Sequence, residues 1–401
     1  MEKMNNEINS SPALNKRIHS IDIVRGIVMV IMALDHIRDL MHVSSLTQSP
    51  TDLNTTTPFL FFTRWITYLC APTFVFLSGT SAYLSMKRRG DIDATRKFLL
   101  KRGLWLILME FTLVNFALWF DVQFRILMLQ VIAAIGAGFI ILSFLLKVNL
   151  KTIGLVSLLI IFSHNLLQFL PQINSKAISV LLNIFFVPGP QTVSKDFIFF
   201  TAYPVIPWAV MLLLGFSFGK VFEREAASQK KYLLNCSVIA LLLFIILRFV
   251  NVYGDPFPWS AQKETAMTVV SFFNVTKYAP SLQFDLLFFG IMFLLLWLTT
   301  DLSGWFQNIF SVYGKVPMFY YLIHLYLIRL AVFVMVFAQG FHWKDLLFRP
   351  FQFGRPASGS GISLGMVYLV WLLIVVLLYP LCKWYGNYKM QHKEKEWLRY
   401  L

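Results

Sequence analysis

Seven ionisable side chains crowd one apolar stretch, SIDIVRGIVMVIMALDHIRDLMH (20–42): Asp22, Arg25, Asp35, His36, Arg38, Asp39 and His42. The stretch is long enough to cross a bilayer, which takes about 20 mostly apolar residues. Ionisable groups inside such a helix are costly, and by default they mark a functional site. At 100° per residue, Asp22, Arg25, Met29, Met32, His36 and Asp39 fall within roughly 100° of arc. Lipid cannot face that stripe, so it must line a cavity or a helix interface. Asp35, Arg38 and His42 widen it, and Asp35 with Arg38, or His36 with Asp39, can pair at i, i+3. Asp22, Arg25, Asp39 and His42 sit within a turn or two of the helix ends, where charged heads reach water cheaply, so they read equally as interfacial anchors. His36 lies inside the apolar register, about 16 Å along the axis from Arg25. Its structural alternative is a buried histidine in a hydrogen-bond network.

Other ionisable or amide groups inside apolar runs are Arg64, Glu110, His164, Asn165, Arg248, Asp285, His324 and Arg329. The chain has no serine nucleophile elbow, no HExxH, no close cysteine–histidine pair and no glycine-rich phosphate loop. Histidine beside carboxylates, with amides, lysine and tyrosine in NVTKYAPSL (274–282), suits acyl transfer to an amine or hydroxyl. In that reading His36 is the general base or transient acyl carrier, oriented by Asp35 or Asp39. His164 with Asn165, Asn251 with Asp255, Asn274 with Lys277, and His324 line an acceptor site. Arg25 and the basic run KRRGDIDATRKFLLKR (87–102) face the donor, or else serve as a topology anchor on anionic lipid. No metal is expected.

The elements that must position these groups are helices. At 57% hydrophobic and 14% charged, the 401-residue chain reads as an integral membrane protein, and its positive charge needs no nucleic-acid partner. Runs long enough to span lie near 21–42, 63–84, 98–119, 126–146, 153–170, 199–221, 232–250, 282–300, 316–338 and 362–384. The expectation is thus an all-α polytopic protein with ten spans, or eleven if the short run 177–187 also crosses. The basic residues concentrate on one set of loops, which places both termini in the cytoplasm of a plasma or inner membrane and the His36 end outside. The domain reading is a tail over 1–19, a transmembrane acyltransferase unit over 20–385 and a basic tail over 386–401. The outer loops are rich in Pro, Gly and aromatics, as in YGDPFPW (253–259), and read as fixed turns. Cys70, Cys236 and Cys382 form no motif.

Taken in order, RIHSIDIVRGIVMVIMALDHIRD (17–39), APTFVFLSGTSAYL (71–84), HNLL (164–167), YPVIPWAVMLLLGFSFG (203–219), LRFVNVYGDPFPW (247–259), NVTKYAPSL (274–282) and VPMFYYLIHLYLI (316–328) resemble the heparan-alpha-glucosaminide N-acetyltransferase catalytic-domain family, in its compact prokaryotic-type form. The resemblance implies acetyl transfer across the membrane, from acetyl-CoA to a glucosamine-type or glycan acceptor on the non-cytoplasmic side. It implies His36 as the membrane histidine and Arg25–Gly26 as the RG that opens the first helix. The larger relatives carry their proposed histidine in the loop after that helix, which makes His42 a second candidate. Gln168 and Ala279 depart from the pattern, which commonly has Asp and Pro there. A homodimer is a further expectation. Competing readings are an O-acyltransferase of cell-surface polysaccharide, a proton-coupled transporter, and a haem protein ligated by His36, His164 and His324.

Overall fold

The computed structural model describes residues 18–169 and 175–400. Helix α1 runs from His19 to Met41 and is buried on nearly every side; Ile23, Val24, Val28, Ala33 and Ile37 are wholly inaccessible. A helix carrying this many ionisable groups cannot face lipid, so it belongs in the interior, where they find partners. After it come α2 (Pro58–Thr67) and α3 (Cys70–Arg89), which form one apolar run divided at Tyr68 and Leu69. Thr57 caps the start of α2 through Leu60 N–H, Pro58 occupies its first turn, and Gly90 in the left-handed region (φ 68°) ends α3. The expected single span over 63–84 is therefore two helices, and the break turns Arg64 and Thr67 toward α1.

Helix α4 (Ile92–Met109) continues through a π-turn at Glu110–Val114 into α5 (Asn115–Trp119). Glu110 is fully buried, and its carboxylate accepts from the backbone N–H of Ala133 at 3.0 Å. Ala133 lies in the first turn of α6 (Val131–Leu145), whose leading N–H groups have no partner of their own. The expected helix over 126–146 begins instead as strand β1 (Ile126–Leu129). Asn115 holds that strand through Ile126 O and Met128 N. β1 runs parallel to β3 (Phe197–Thr201), and β3 pairs antiparallel with β2 (Gly189–Ser194), giving the order β1-β3-β2. Between them lie α7 (Leu150–Ser163) and the ten-residue α8 (Lys176–Phe185), so the run 177–187 is too short to span.

The remainder comprises α9 (Val205–Phe218), α10 (Ala226–Val250), α11 (Thr265–Phe273), α12 (Leu282–Thr299), α13 (Trp305–Gly314), α14 (Pro317–Ala338) and α15 (Leu364–Gln391). Eight runs among the described residues are long and apolar enough to cross a membrane. Ten were expected; α1, which carries five Asp and Arg, and the 15-residue α6 fall outside the eight. The protein is an all-α polytopic membrane protein apart from its small sheet. α1 sits at the centre, against α2, α3, α12, α13, α14 and α15. Its closest crossing is with α13, which the hydropathy pattern did not reveal. A side chain on Gly26 would strike the Phe310 carbonyl, and one on Gly314 the Asp22 carbonyl. Small residues at a crossing let two backbones approach, the usual route to tight helix association in membranes.

Candidate functional site

The α1 stripe meets α14 at a pair of imidazoles: His36 Nδ1 lies 3.0 Å from His324 Nε2, with ring centroids 5.0 Å apart. His324 is completely buried, whereas His36 is half-buried. Tyr321, one turn before His324, sets its ring edge-on to His36 at 6.2 Å between centroids. Asp35 turns away from this pair. Its Oδ1 accepts from Arg38 at 3.0 Å, from Thr67 at 2.8 Å and from Arg64, while Asp39 contacts the same two arginines. The expected carboxylate orienting His36 is thus replaced by a second histidine. Adjacent helical residues point about 100° apart, and the two carboxylates are taken up by arginines.

Lys277 joins the group. Buried at 5% exposure, its Nζ stands 5.1 Å from the ring centroids of Tyr68 and Tyr278 and 6.0 Å from that of Tyr203. Rings around an ammonium attract it through their negative faces, and the charge acts on both Asp35 and His36. Tyr278 (36% exposed) and Asp39 (45% exposed side chain) bring this end of α1 to the surface.

On the other side of Tyr321 a cavity of about 400 Å³ opens between α1, α3, α4, α6 and α14. That is within the range of small-molecule and cofactor sites. Arg25, Arg88, Arg102 and Lys389 line it, as do Ser78, Ser81 and Ser85 of α3, and it reaches Met32 and Tyr321. Arg25 donates to Leu77 O at 2.8 Å and to Ser81 Oγ. The basic run after α3 therefore contributes Arg88 and Arg102 to the same space as Arg25, next to the ring that touches His36.

The other expected site residues hold loops together. His164 Nε2 meets Phe186 O at 3.1 Å, and Asn165 Oδ1 accepts from Leu282 N at 2.8 Å, where α12 begins. Asn251, in the left-handed region (φ 57°), pairs both ways with the Trp259 backbone. Asp255 accepts from the N–H of Phe257 and Thr276 and from the hydroxyls of Thr276 and Ser281. Asn274 donates to Thr51 O. In the structure these groups hold the turns between the helices. His42 lies past the end of α1, where its Nδ1 faces Ser44 Oγ at 3.0 Å. Burial, with Arg38 and Arg355 nearby, pushes its imidazole below the ordinary range. His36 and His324 bond to each other, and His164 is tied to α8, so the three do not face one another as haem ligands would. Among the described residues no group of three His, Cys, Asp or Glu is placed to hold a metal.

Tyr68, Tyr203 and Tyr321 were not singled out in the sequence, whereas Tyr278 was noted there within NVTKYAPSL. The spacing of Tyr321 and His324 at i, i+3 on one helix face was the available signal. Fold and site together define a polytopic helical membrane protein in which two histidines of different helices meet. Residues 17–253 match the family model described as heparan-alpha-glucosaminide N-acetyltransferase, catalytic. The chain belongs to that family, one of membrane acetyltransferases. Comparison with curated proteins returns no match. The matched region holds Arg25, His36 and Arg64, whereas Lys277, Tyr321 and His324 lie beyond it.

Proposed function

We propose that the protein transfers an acetyl group from acetyl-CoA to the amine of an amino sugar or glycan across the bilayer, with residues 20–385 as the transferase unit. The observation that carries this reading is the path along α1: a cavity with cationic residues along its lining ends at Tyr321, and Tyr321 touches His36. Acetyl-CoA fits that chemistry. Arginine and lysine suit the phosphates of its nucleotide, the serines of α3 can hydrogen-bond an amide-bearing arm, and the thioester would then stand near Tyr321 and His36. The cavity lies on the side richer in Lys and Arg, which is the cytoplasmic side by the positive-inside rule. The acceptor approaches from the opposite side, past Tyr278 and Asp39.

At the junction His36 either takes the acceptor proton or carries the acetyl group. Lys277 supplies positive charge for the oxyanion that forms as the thioester carbonyl is attacked. Asp35, held by Arg64, Arg38 and Thr67, balances the cations. Membranes given labelled acetyl-CoA and a panel of amino sugars should form an acetylated sugar, and His36→Ala at equal membrane level should abolish it. Retained turnover would remove His36 from the mechanism. Ping-pong kinetics would mark an acetyl-histidine intermediate, and sequential kinetics direct transfer.

A further inference from the structure

Which nitrogen of His36 does the work follows from a backbone carbonyl on α14. His324 Nδ1 lies 3.0 Å from the carbonyl oxygen of Tyr320. A carbonyl only accepts, so Nδ1 of His324 carries the proton, and in a neutral imidazole the other nitrogen is then a bare acceptor. That other nitrogen, Nε2, is the atom 3.0 Å from His36 Nδ1. His36 must therefore donate through Nδ1–H. We infer that His324 is a positioning residue that holds His36 in its Nδ1–H tautomer and leaves His36 Nε2 as the nitrogen whose lone pair serves acetyl transfer.

The role given to Nε2 rests on the acetyltransferase reading; the tautomer itself does not. His324 is wholly buried between His36 and Tyr320, whose ring centroids lie 5.0 and 5.3 Å away. The groups acting on His36 are Asp35 and Asp39 on its own helix, Arg64 from α2 and Lys277 from the segment before α12; Tyr321 faces it from α14. Two carboxylates and two cations leave no strong local field to choose the tautomer, so the bond to His324 decides it.

The chemistry balances at Nε2 by either route. In direct transfer the acceptor amine attacks the thioester carbonyl and its proton passes to His36 Nε2. The C–S bond breaks, and the departing thiolate recovers that proton. In the covalent route Nε2 forms the bond to the acetyl carbon as C–S breaks. The thiolate leaves and takes a proton from solvent; the acceptor amine then takes the acetyl group, the electron pair returns to Nε2, and the amine proton is released to solvent, which restores the balance. In both, the proton stays on His36 Nδ1, donated to His324 Nε2, and the positive charge on the His36 ring is shared with that acceptor.

His324→Phe keeps the ring volume and deletes the acceptor. Turnover should fall by about 10²- to 10⁴-fold, the contribution of a positioned general acid or base, with KM for acetyl-CoA unchanged. The acid limb of the pH–rate profile should move to lower pH, because the His36 imidazolium loses its acceptor; a purely structural role would leave that limb in place. His324→Gln, whose side-chain oxygen can accept from Nδ1–H, should recover part of the rate. Nitrogen NMR of histidine-labelled protein in nanodiscs, with His36 identified by its loss in His36→Asn, should show a protonated Nδ1 and a bare Nε2. A bare Nδ1 on His36, or full turnover in His324→Phe, overturns the inference. Should His324→Phe fail to accumulate, the wild-type spectrum decides alone. Retained turnover in His36→Ala would instead defeat the acetyltransferase reading and leave the spectrum to settle the tautomer.

Discussion

Arg102→Ala tests the donor cavity at its charged lining, and the structure sets how large the effect should be. Arg102 is half-buried, with its guanidinium about 6.0 Å from the rings of Phe98 and Phe139, and it lines the cavity with Arg25, Arg88 and Lys389. A hydrogen bond to a charged partner in such a place contributes about 1.5–3 kcal/mol. At 1.4 kcal/mol per factor of ten, its loss should raise KM for acetyl-CoA about tenfold to hundredfold. Arg88 is exposed. A solvent-screened contact is worth about 0–1 kcal/mol, so Arg88→Ala should raise KM no more than about fivefold, and that effect should fade as salt shortens the Debye length. Initial rates would be compared for acetyl-CoA and for S-acetylpantetheine, which carries the thioester arm without the nucleotide. The variant should handicap the first donor and spare the second. Equal changes in KM for both donors, or none for either, would refute the placement of the nucleotide among these cations.

Three further outcomes are expected. His42→Gln should keep most of the acetyltransferase turnover that His36→Ala loses, because His42 faces Ser44 and the outer loop; comparable loss would return His42 to the mechanism. Its imidazole is held below the ordinary value by burial, then by Arg38 and Arg355, so the unfolded chain takes up the proton first. Stability present above about pH 6.5 is then lost as pH falls below it, and the melting temperature should drop between pH 7.5 and 5.5 less in His42→Gln than in wild type. Gly26→Ala should lower the melting temperature markedly, because the new methyl meets the Phe310 backbone and not a movable side chain; overpacking a tight contact costs about 1–3 kcal/mol, and an unchanged melt would contradict the α1–α13 crossing. Asp35→Asn should destabilise by about 3 kcal/mol, the lower end for a broken buried pair, because Asp39 still contacts both arginines; denaturant unfolding in detergent would measure it, and an unaltered midpoint would mean that Arg38 and Arg64 do not depend on Asp35.

The helices were legible because a bilayer imposes a length and an apolar composition that no other element satisfies. α1 was legible for the opposite reason, since a charged stripe in a spanning helix has few places to go. α13 and α11 were not. Trp305–Gly314 is a ten-residue helix, too short to register as a span, and Thr265–Phe273 sits inside an outer loop. The sheet was missed because Ile126–Leu129 is as apolar as the helix that follows it, and strand character arises from pairing with Phe197–Thr201, some 70 residues later. In the site, residue types signalled that a polar group needs a partner but not which one. His36 and His324 are 288 positions apart, and nothing local to either points to the other. Asn165, Asn251, Asp255 and Asn274 carried the same signal, and turn backbones meet their needs.

Those turns matter to the site through the arginines that fix them. Arg248, Arg329 and Arg355 are among the largest fully buried side chains, and each donates mainly to backbone carbonyls. Arg248 reaches Phe272, Ser271 and Asn274 at the end of α11, Arg329 reaches Ala117 and Leu118 at the end of α5, and Arg355 reaches His42 at the end of α1. A cation at a helix C-terminus satisfies carbonyls that would otherwise be orphaned and suits the dipole there. Burial lowers Arg355 only to about 10, so it remains charged at neutral pH and keeps that role. Arg248 ties Phe272 and Asn274 to α10, and Asp255 gathers Thr276 and Ser281, so the segment between α11 and α12 is clamped on both sides of Lys277. The ammonium whose charge acts on His36 is thereby positioned by side chains that touch neither histidine. Preorganised charge of this kind would need no rearrangement when an oxyanion forms, and in the proposed mechanism the polar groups of these turns act through the backbone on either side of Lys277.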